Sequence, residues 1–204
     1  MWFRDLVMNN DVISALNIAK ICHTGQTRQN GDPYYVHPFV VTRILEHYCV
    51  TTLEMLQAAA LHDVIEDTSM TLGQVRKVFG VHVCGLVAQL TDIPQEGMRR
   101  CRKKVDAARI AYACHMVHEI KCADIIHNVY GAMDFGSEFS QTFLKEKAFT
   151  IKLINTCIAT TSPIIDLAES FIKYRLRGES TDMALFDLIK NIEIWEQEAK
   201  TLCE

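Results

Sequence analysis

Apolar residues recur along this chain with a helical period and rarely alternate as they would in strands. Val12, Leu16, Ala19 and Cys22 fall on one face, which predicts a helix with Asp11 as N-cap and Gly25 as stop. Gln26 to Val36 is polar, holds Gly31, Asp32 and Pro33, and reads as a loop. Proline suits the first helical position, so His37-Pro38 opens a second helix with His37 at the N-cap and Phe39, Val40, Ile44, Leu45 and Tyr48 inward. Thr51 and Glu54 have capping-box spacing and open a helix that runs through Leu53–Leu61 into His62-Asp63. A second such box, Thr71 with Gln74, starts a short helix closed by Gly80, and Val83, Leu86, Val87 and Leu90 mark the next, to about Thr91. Pro94 and Gly97 place a loop before a helix from about Val105 to Ala113, and Ile120, Ala123, Asp124 and His127 share one face of the helix after it. Ser140 caps a helix carrying Phe143, Lys147, Ile151, Ile154 and Ile158. Ser162-Pro163 starts another, ending near Gly178, and Asp182 begins the last, with Leu185, Leu188, Ile192 and Trp195 inward. The expected class is all-α: a single domain over 1–204, with a core over about 11–135 and C-terminal helices over about 140–204.

Composition narrows the function. Apolar residues make up 49% and charged residues 23%, with a net charge of −4, which argues against a protein built to coat nucleic acid. No apolar run is long enough to cross a bilayer, and no basic stretch followed by an apolar core opens the chain. A cytoplasmic protein without membrane or nucleic-acid partners is expected. The eight cysteines are evenly spread without a C-x-x-C pair, so reduced thiols buried as small hydrophobes are expected rather than disulfides or a zinc site. The apolar N-terminal residues Trp2, Phe3, Leu6 and Val7 leave a homo-oligomeric interface open.

The chemistry concentrates in His62-Asp63-Val64-Ile65-Glu66-Asp67. On a continuous helix His62 stacks on Glu66 and Asp63 on Asp67. An adjacent His and Asp offer one nitrogen and one oxygen to a divalent cation. Asp124 lies on the buried side of its helix, which is costly for a carboxylate unless it is paired or metal-bound. His37, His62, Asp63 and Asp124 are therefore the candidate ligands of one ion. Two imidazoles and two carboxylates suit Mn²⁺, Fe²⁺, Zn²⁺ or Mg²⁺, with manganese favoured by the mixed set. Glu66 and Asp67 stand beside it to deprotonate or orient a water. His127 is expected to support Asp124; His23, His47, His82, His115 and His118 are expected to be hydrogen-bonded core residues. Five basic residues in six, Arg99 to Lys104, form either a solvated helix start or an electropositive wall for a phosphorylated ligand.

The arrangement H…HD…D over His37, His62-Asp63 and Asp124 resembles the HD phosphohydrolases. More narrowly, the chain resembles the hydrolase domain of the RelA/SpoT family, small alarmone hydrolases included. The matching strings are His23-Thr24-Gly25-Gln26-Thr27-Arg28, Gly31-Asp32-Pro33-Tyr34, His37-Pro38, Leu61 to Thr68, Phe79-Gly80 and Lys121-Cys122-Ala123-Asp124 with Asn128, over roughly residues 13–130. The resemblance implies an HD-domain helical bundle with a C-terminal helical extension. It implies one Mn²⁺ per chain and removal of the 3′-pyrophosphate of ppGpp or pppGpp. It carries the metal ligands over to His37, His62, Asp63 and Asp124, the water-activating acids to Glu66 and Asp67, and base recognition to Arg28 and Gln29. Asn128 falls at a nucleotide-proximal position and Lys103 in a phosphate-facing segment. Arg28 could equally neutralise a helix C-terminus, and Tyr34 either stacks on a base or simply packs. The family usually has lysine where this chain has Gln29, and arginine where it has Ile125. The first difference leaves adenine alarmones such as ppApp open beside guanine ones. No synthetase-like portion follows, so a hydrolase-only protein is expected. Two other functions compete: an HD phosphatase acting on NADPH or a deoxynucleotide monophosphate, and a non-catalytic, antitoxin-like nucleotide binder.

Overall fold

The computed structural model describes residues 9–94, 96–132, 137–158, 162–177 and 183–202. They form ten helices: α1 (Asn10–Cys22), α2 (Val36–Tyr48), α3 (Leu53–Ala60), α4 (Val64–Asp67), α5 (Leu72–Leu90), α6 (Arg99–Ala111), α7 (His115–Gly131), α8 (Ser137–Cys157), α9 (Pro163–Arg177) and α10 (Met183–Thr201). Among the described residues the extended pairing is a single bridge, Thr27 with Pro33, which pinches the loop between α1 and α2. The all-α expectation holds.

The most deeply embedded helix is α7. Val117, Ile120, Cys122, Ala123, Ile125, Ile126 and Val129 are all fully buried, so it is apolar on several faces rather than along one stripe. It packs against α2 on one side and α9 on another, with α3, α5, α6 and α8 around them. Each buried Ile or Val contributes roughly 1.5–3 kcal/mol relative to exposure. Ile125 belongs to this core, so the position where the resembling family has arginine faces neighbouring helices, not a ligand. Helix α10 closes the far side by packing on α2. At the start of α9, Ser162 donates to the Glu119 carboxylate of α7 at 2.8 Å, which anchors the Ser-Pro helix start at the predicted place.

Several local expectations shift. The α1 N-cap is Asn9, whose side chain accepts from the Asp11 amide at 2.8 Å; Asp11 lies in the first turn. His37 lies inside α2, not at its cap, because the chain already turns helical at Val36. The α3 cap is Thr52, accepting from the Met55 amide at 3.3 Å, one residue beyond the predicted Thr51. The Thr71–Gln74 capping box forms as predicted, and Gly80 breaks α5 at a φ of 86°, a left-handed conformation that glycine adopts without penalty. Helix α6 begins at Arg99, six residues before the predicted start, and Ser140 lies within α8 rather than at its cap. Of the cysteines, Cys122 is buried, but Cys101, Cys114 and Cys157 are exposed, so the expectation of buried thiols fails for these three. Trp2, Phe3, Leu6, Val7, Gly178, Asp182 and Cys203 lie outside the described residues.

Candidate metal centre and the cavities beside it

His62 and Asp63 do not sit on a continuous helix. α3 ends at Ala60 and α4 begins at Val64, so both residues occupy the turn between two helices. The predicted stacking of His62 on Glu66 is thus replaced by a sharper arrangement. The turn directs the imidazole and the carboxylate toward α2 and α7, while Glu66 and Asp67 lie at the rim, partly open to solvent, with the Glu66 carboxyl tucked against the Asp92 backbone. His37 comes from α2 and Asp124 from α7.

The four side chains converge. His37 Nε2 lies 3.2 Å from His62 Nε2, 3.6 Å from Asp63 Oδ2 and 3.2 Å from Asp124 Oδ1. His62 Nε2 lies 3.0 Å from Asp63 Oδ2 and 3.9 Å from Asp124 Oδ1. Donors bound to one ion at about 2.1 Å stand roughly 3–4 Å apart, which the His37, His62 and Asp124 distances match; Asp63 adjoins both imidazoles at the edge of this group. His37, His62 and Asp124 are buried, which makes the cluster costly unless the charges are shared.

The surroundings set the protonation. His62 donates through Nδ1 to the Ala59 carbonyl at 2.8 Å, so its Nε2 faces the cluster. Burial pushes the His37 imidazole down to about 3, despite its contact with Asp124, so this ring is neutral. Burial also opposes charge on His62, but the adjoining Asp63 and Asp124 carboxylates outweigh it and hold the ring protonated up to about 9. Burial alone would raise both carboxyls. The imidazole of His62 beside Asp63, and the Lys121 ammonium 2.8 Å from Asp124, hold them well below the usual carboxylate range. A cation entering the cluster must therefore displace the His62 proton. Apparent affinity for a divalent cation is expected to weaken about tenfold for each pH unit below about 9. Calorimetric titrations at pH 6, 7 and 8 test this, and a pH-independent affinity would contradict the protonated state of His62.

Around the cluster, Tyr34 donates its hydroxyl to Asp63 Oδ2 at 2.7 Å and faces Asp67 Oδ2 at 3.0 Å, while its ring stacks on His23 at 4.5 Å. Beside the two sequence readings of Tyr34, base stacking and packing, the structure adds a hydroxyl link between two site carboxylates. Burial, with these anions beside it, pushes the phenol well above its usual range. Asn128 donates to Asp124 Oδ1. Glu66 accepts from the Asp92 amide, and Asp92 in turn pairs with Lys103 at 2.7 Å. Burial raises the Glu66 carboxyl. His127 contacts His37 (Nδ1 to Nδ1, 2.8 Å) instead of Asp124. His23 and His118 are buried and hydrogen-bonded as expected, whereas His47, His82 and His115 are exposed.

Two cavities flank the centre and share Phe143. The smaller, about 260 Å³, is lined by Arg28, Gln29, Tyr34, Asn128 and Gly131. The Arg28 guanidinium lies against Gly131, the last residue of α7, so it meets that helix's C-terminus while facing the cavity; burial lowers its pKa. The larger, about 590 Å³, lies between α6 and α8 and is lined by Arg99, Arg100, Lys103, Lys104, Lys121 and Lys147, among others. The basic run thus opens α6 and also walls a cavity. Asp92, in the loop between α5 and α6, carried no signal in the sequence, and Lys147 was read only as part of the α8 stripe, with no link to the site. Lys121 was legible, three residues before Asp124 on one helix face.

An HD-domain family model matches residues 15–113, ending before Asp124. The zebrafish (Danio rerio) guanosine-3′,5′-bis(diphosphate) 3′-pyrophosphohydrolase MESH1 is 35% identical over 124 residues, spanning 58% of this chain and 67% of that protein. The human MESH1 protein is 35% identical over 121 residues, again 58% and 67% of the two chains. A solved structure of a metazoan SpoT orthologue that hydrolyses ppGpp and acts in starvation responses superposes with a TM-score of 0.72 at 28% identity, covering 83% of this chain and 97% of that one. The Listeria monocytogenes protein lmo0812, 22% identical with a TM-score of 0.61, shares the fold. The likeness in structure thus reaches into the C-terminal helices, where sequence strings alone no longer match. Taken with the HD motif and its partners on α2 and α7, these likenesses place the chain in the MESH1/SpoT-type family of HD-domain proteins.

Proposed function

We propose that this chain hydrolyses the 3′-pyrophosphate of a purine alarmone, ppGpp, pppGpp or ppApp, using one Mn²⁺ held by His37, His62, Asp63 and Asp124. The observation that carries this reading is the pair of imidazoles, His37 and His62, within 3.0–3.9 Å of each other and of both Asp63 and Asp124, with Glu66 and Asp67 at the rim. The ion supplies charge neutralisation at the scissile phosphate and makes water a stronger acid.

This chain's residues do the rest. Glu66, its pKa raised by burial and its Oε1 fixed by the Asp92 amide, accepts a proton from the attacking water. The bond between phosphorus and the ribose 3′ oxygen breaks. That oxygen takes up the proton, pyrophosphate leaves and the nucleoside 5′-phosphates remain. Asp67, tied to Tyr34, orients the water from the other side. The lysine-rich cavity suits phosphate groups, with Lys103 on its wall. Arg28, Gln29 and Asn128 in the smaller cavity suit the base. The packing of α10 on α2 and α9 on α7 supports reading 1–204 as one unit.

Incubation with Mn²⁺ and ppGpp or ppApp should release pyrophosphate. Orthophosphate release from another nucleotide instead would favour a phosphatase, and binding without turnover a sequestering protein. One local prediction tests the base cavity. A Cβ on Gly131 would lie 2.9 Å from Arg28 Nη2, the movable tip of a long side chain. Gly131→Ala should therefore leave thermal stability nearly unchanged but displace the guanidinium, raising KM about tenfold, or about 1.4 kcal/mol. An unchanged KM would remove Arg28 from base recognition.

A further inference from the structure

We propose that Glu196 on α10, acting through His127, fixes the tautomer of His37 that leaves its Nε2 lone pair free for the cation. The proposal rests on the metal-centre reading above. Glu196 lies 72 residues beyond Asp124 in sequence, yet its Oε1 is 3.0 Å from His127 Nε2. His127 is fully buried, and its Nδ1 is 2.8 Å from His37 Nδ1.

A carboxylate offers only lone pairs, so His127 must donate through Nε2. Its Nδ1 is then an acceptor in the neutral ring, and the 2.8 Å contact requires His37 to donate through Nδ1. The neutral His37 ring consequently turns a bare Nε2 toward His62, Asp63 and Asp124. In His62 the Nδ1 hydrogen is likewise fixed, donated to the Ala59 carbonyl, which directs Nε2 to the cluster. Without Glu196, either tautomer of the His127–His37 pair satisfies their contact. One of the two places a hydrogen on His37 Nε2, where Asp124 Oδ1 at 3.2 Å accepts it and the cluster closes on itself. Glu196 is thus a positioning residue: it touches no ligand atom and acts through two imidazoles.

The test combines ¹⁵N histidine spectra of the metal-free protein with free-Mn²⁺ titrations read by electron paramagnetic resonance. In the wild type, His37 should carry its hydrogen on Nδ1 and His127 on Nε2. Glu196→Leu should populate the Nε2–H form of His37 and weaken Mn²⁺ binding about 10–100-fold. Glu196→Gln, whose amide oxygen accepts the same bond, should keep both the tautomer and most of the affinity. Glu198→Ala, which cuts the 3.7 Å ion pair between α10 and Arg43, should change neither. A wild-type His37 found with its hydrogen on Nε2 would overturn the proposal without any variant. So would a Glu196→Leu protein that binds Mn²⁺ like the wild type, or a Glu198→Ala protein that loses as much, which would assign the effect to helix docking. A wild type that binds no Mn²⁺ would overturn the metal centre itself, and this proposal with it.

Discussion

Asp63→Ala is expected to lose bound metal and, with it, pyrophosphate release. Asp63 Oδ2 is the oxygen nearest the His62 Nε2, at 3.0 Å, and also receives the Tyr34 hydroxyl at 2.7 Å. Removing it takes one donor from the cluster and leaves a phenol without its closest acceptor. The loss of affinity should exceed the roughly 10–100-fold typical of residues that merely support a ligand. It also removes the main charge that keeps His62 protonated, so the remaining metal binding should depend less on pH. Metal content by mass spectrometry, beside a turnover assay, tests this. A variant that retains one Mn²⁺ per chain and hydrolyses ppGpp would refute the assignment of Asp63.

Glu66→Gln separates chemistry from metal binding. The glutamine amide oxygen still accepts from the Asp92 amide, so the rim of the site keeps its shape. What disappears is the ability to take a proton. We expect kcat to fall about 10²–10⁴-fold, the usual contribution of a placed acid–base group, with Mn²⁺ affinity and KM close to wild type. Near-normal turnover would transfer the role to Asp67. A parallel loss of metal would mean that Glu66 belongs to the coordinating set.

The legible parts of this site were those written locally. Asp124 stood out because a carboxylate on the buried face of a periodic helix demands a partner, and His62-Asp63 because ionisable groups interrupt an apolar run. The break of the helix at Leu61–Asp63 was hidden, since neither glycine nor proline marks it and the apolar pattern runs straight through. The early start of α6 was legible only in part: the basic run was read as either a solvated helix start or a phosphate wall, while the apolar stripe begins only near Val105, although arginine and lysine are good helix formers. Position 125 was legible as a difference from the related family, but not as a core position; only the packing of α7 reveals that its isoleucine faces other helices. The support of His37 by His127, and of His127 by Glu196, depends on helices far apart in sequence meeting in space. No spacing rule connects residues 90 and 69 positions apart.

The Tyr34 hydroxyl carries one hydrogen and stands between two anionic oxygens, at 2.7 and 3.0 Å. It serves one fully at a time. Were Asp63 to commit its oxygen to a divalent ion, its pull on that hydrogen would weaken and the bond would pass to Asp67. The outer carboxylate would then register a filled centre through a single rotating O–H, with no backbone atom having to move.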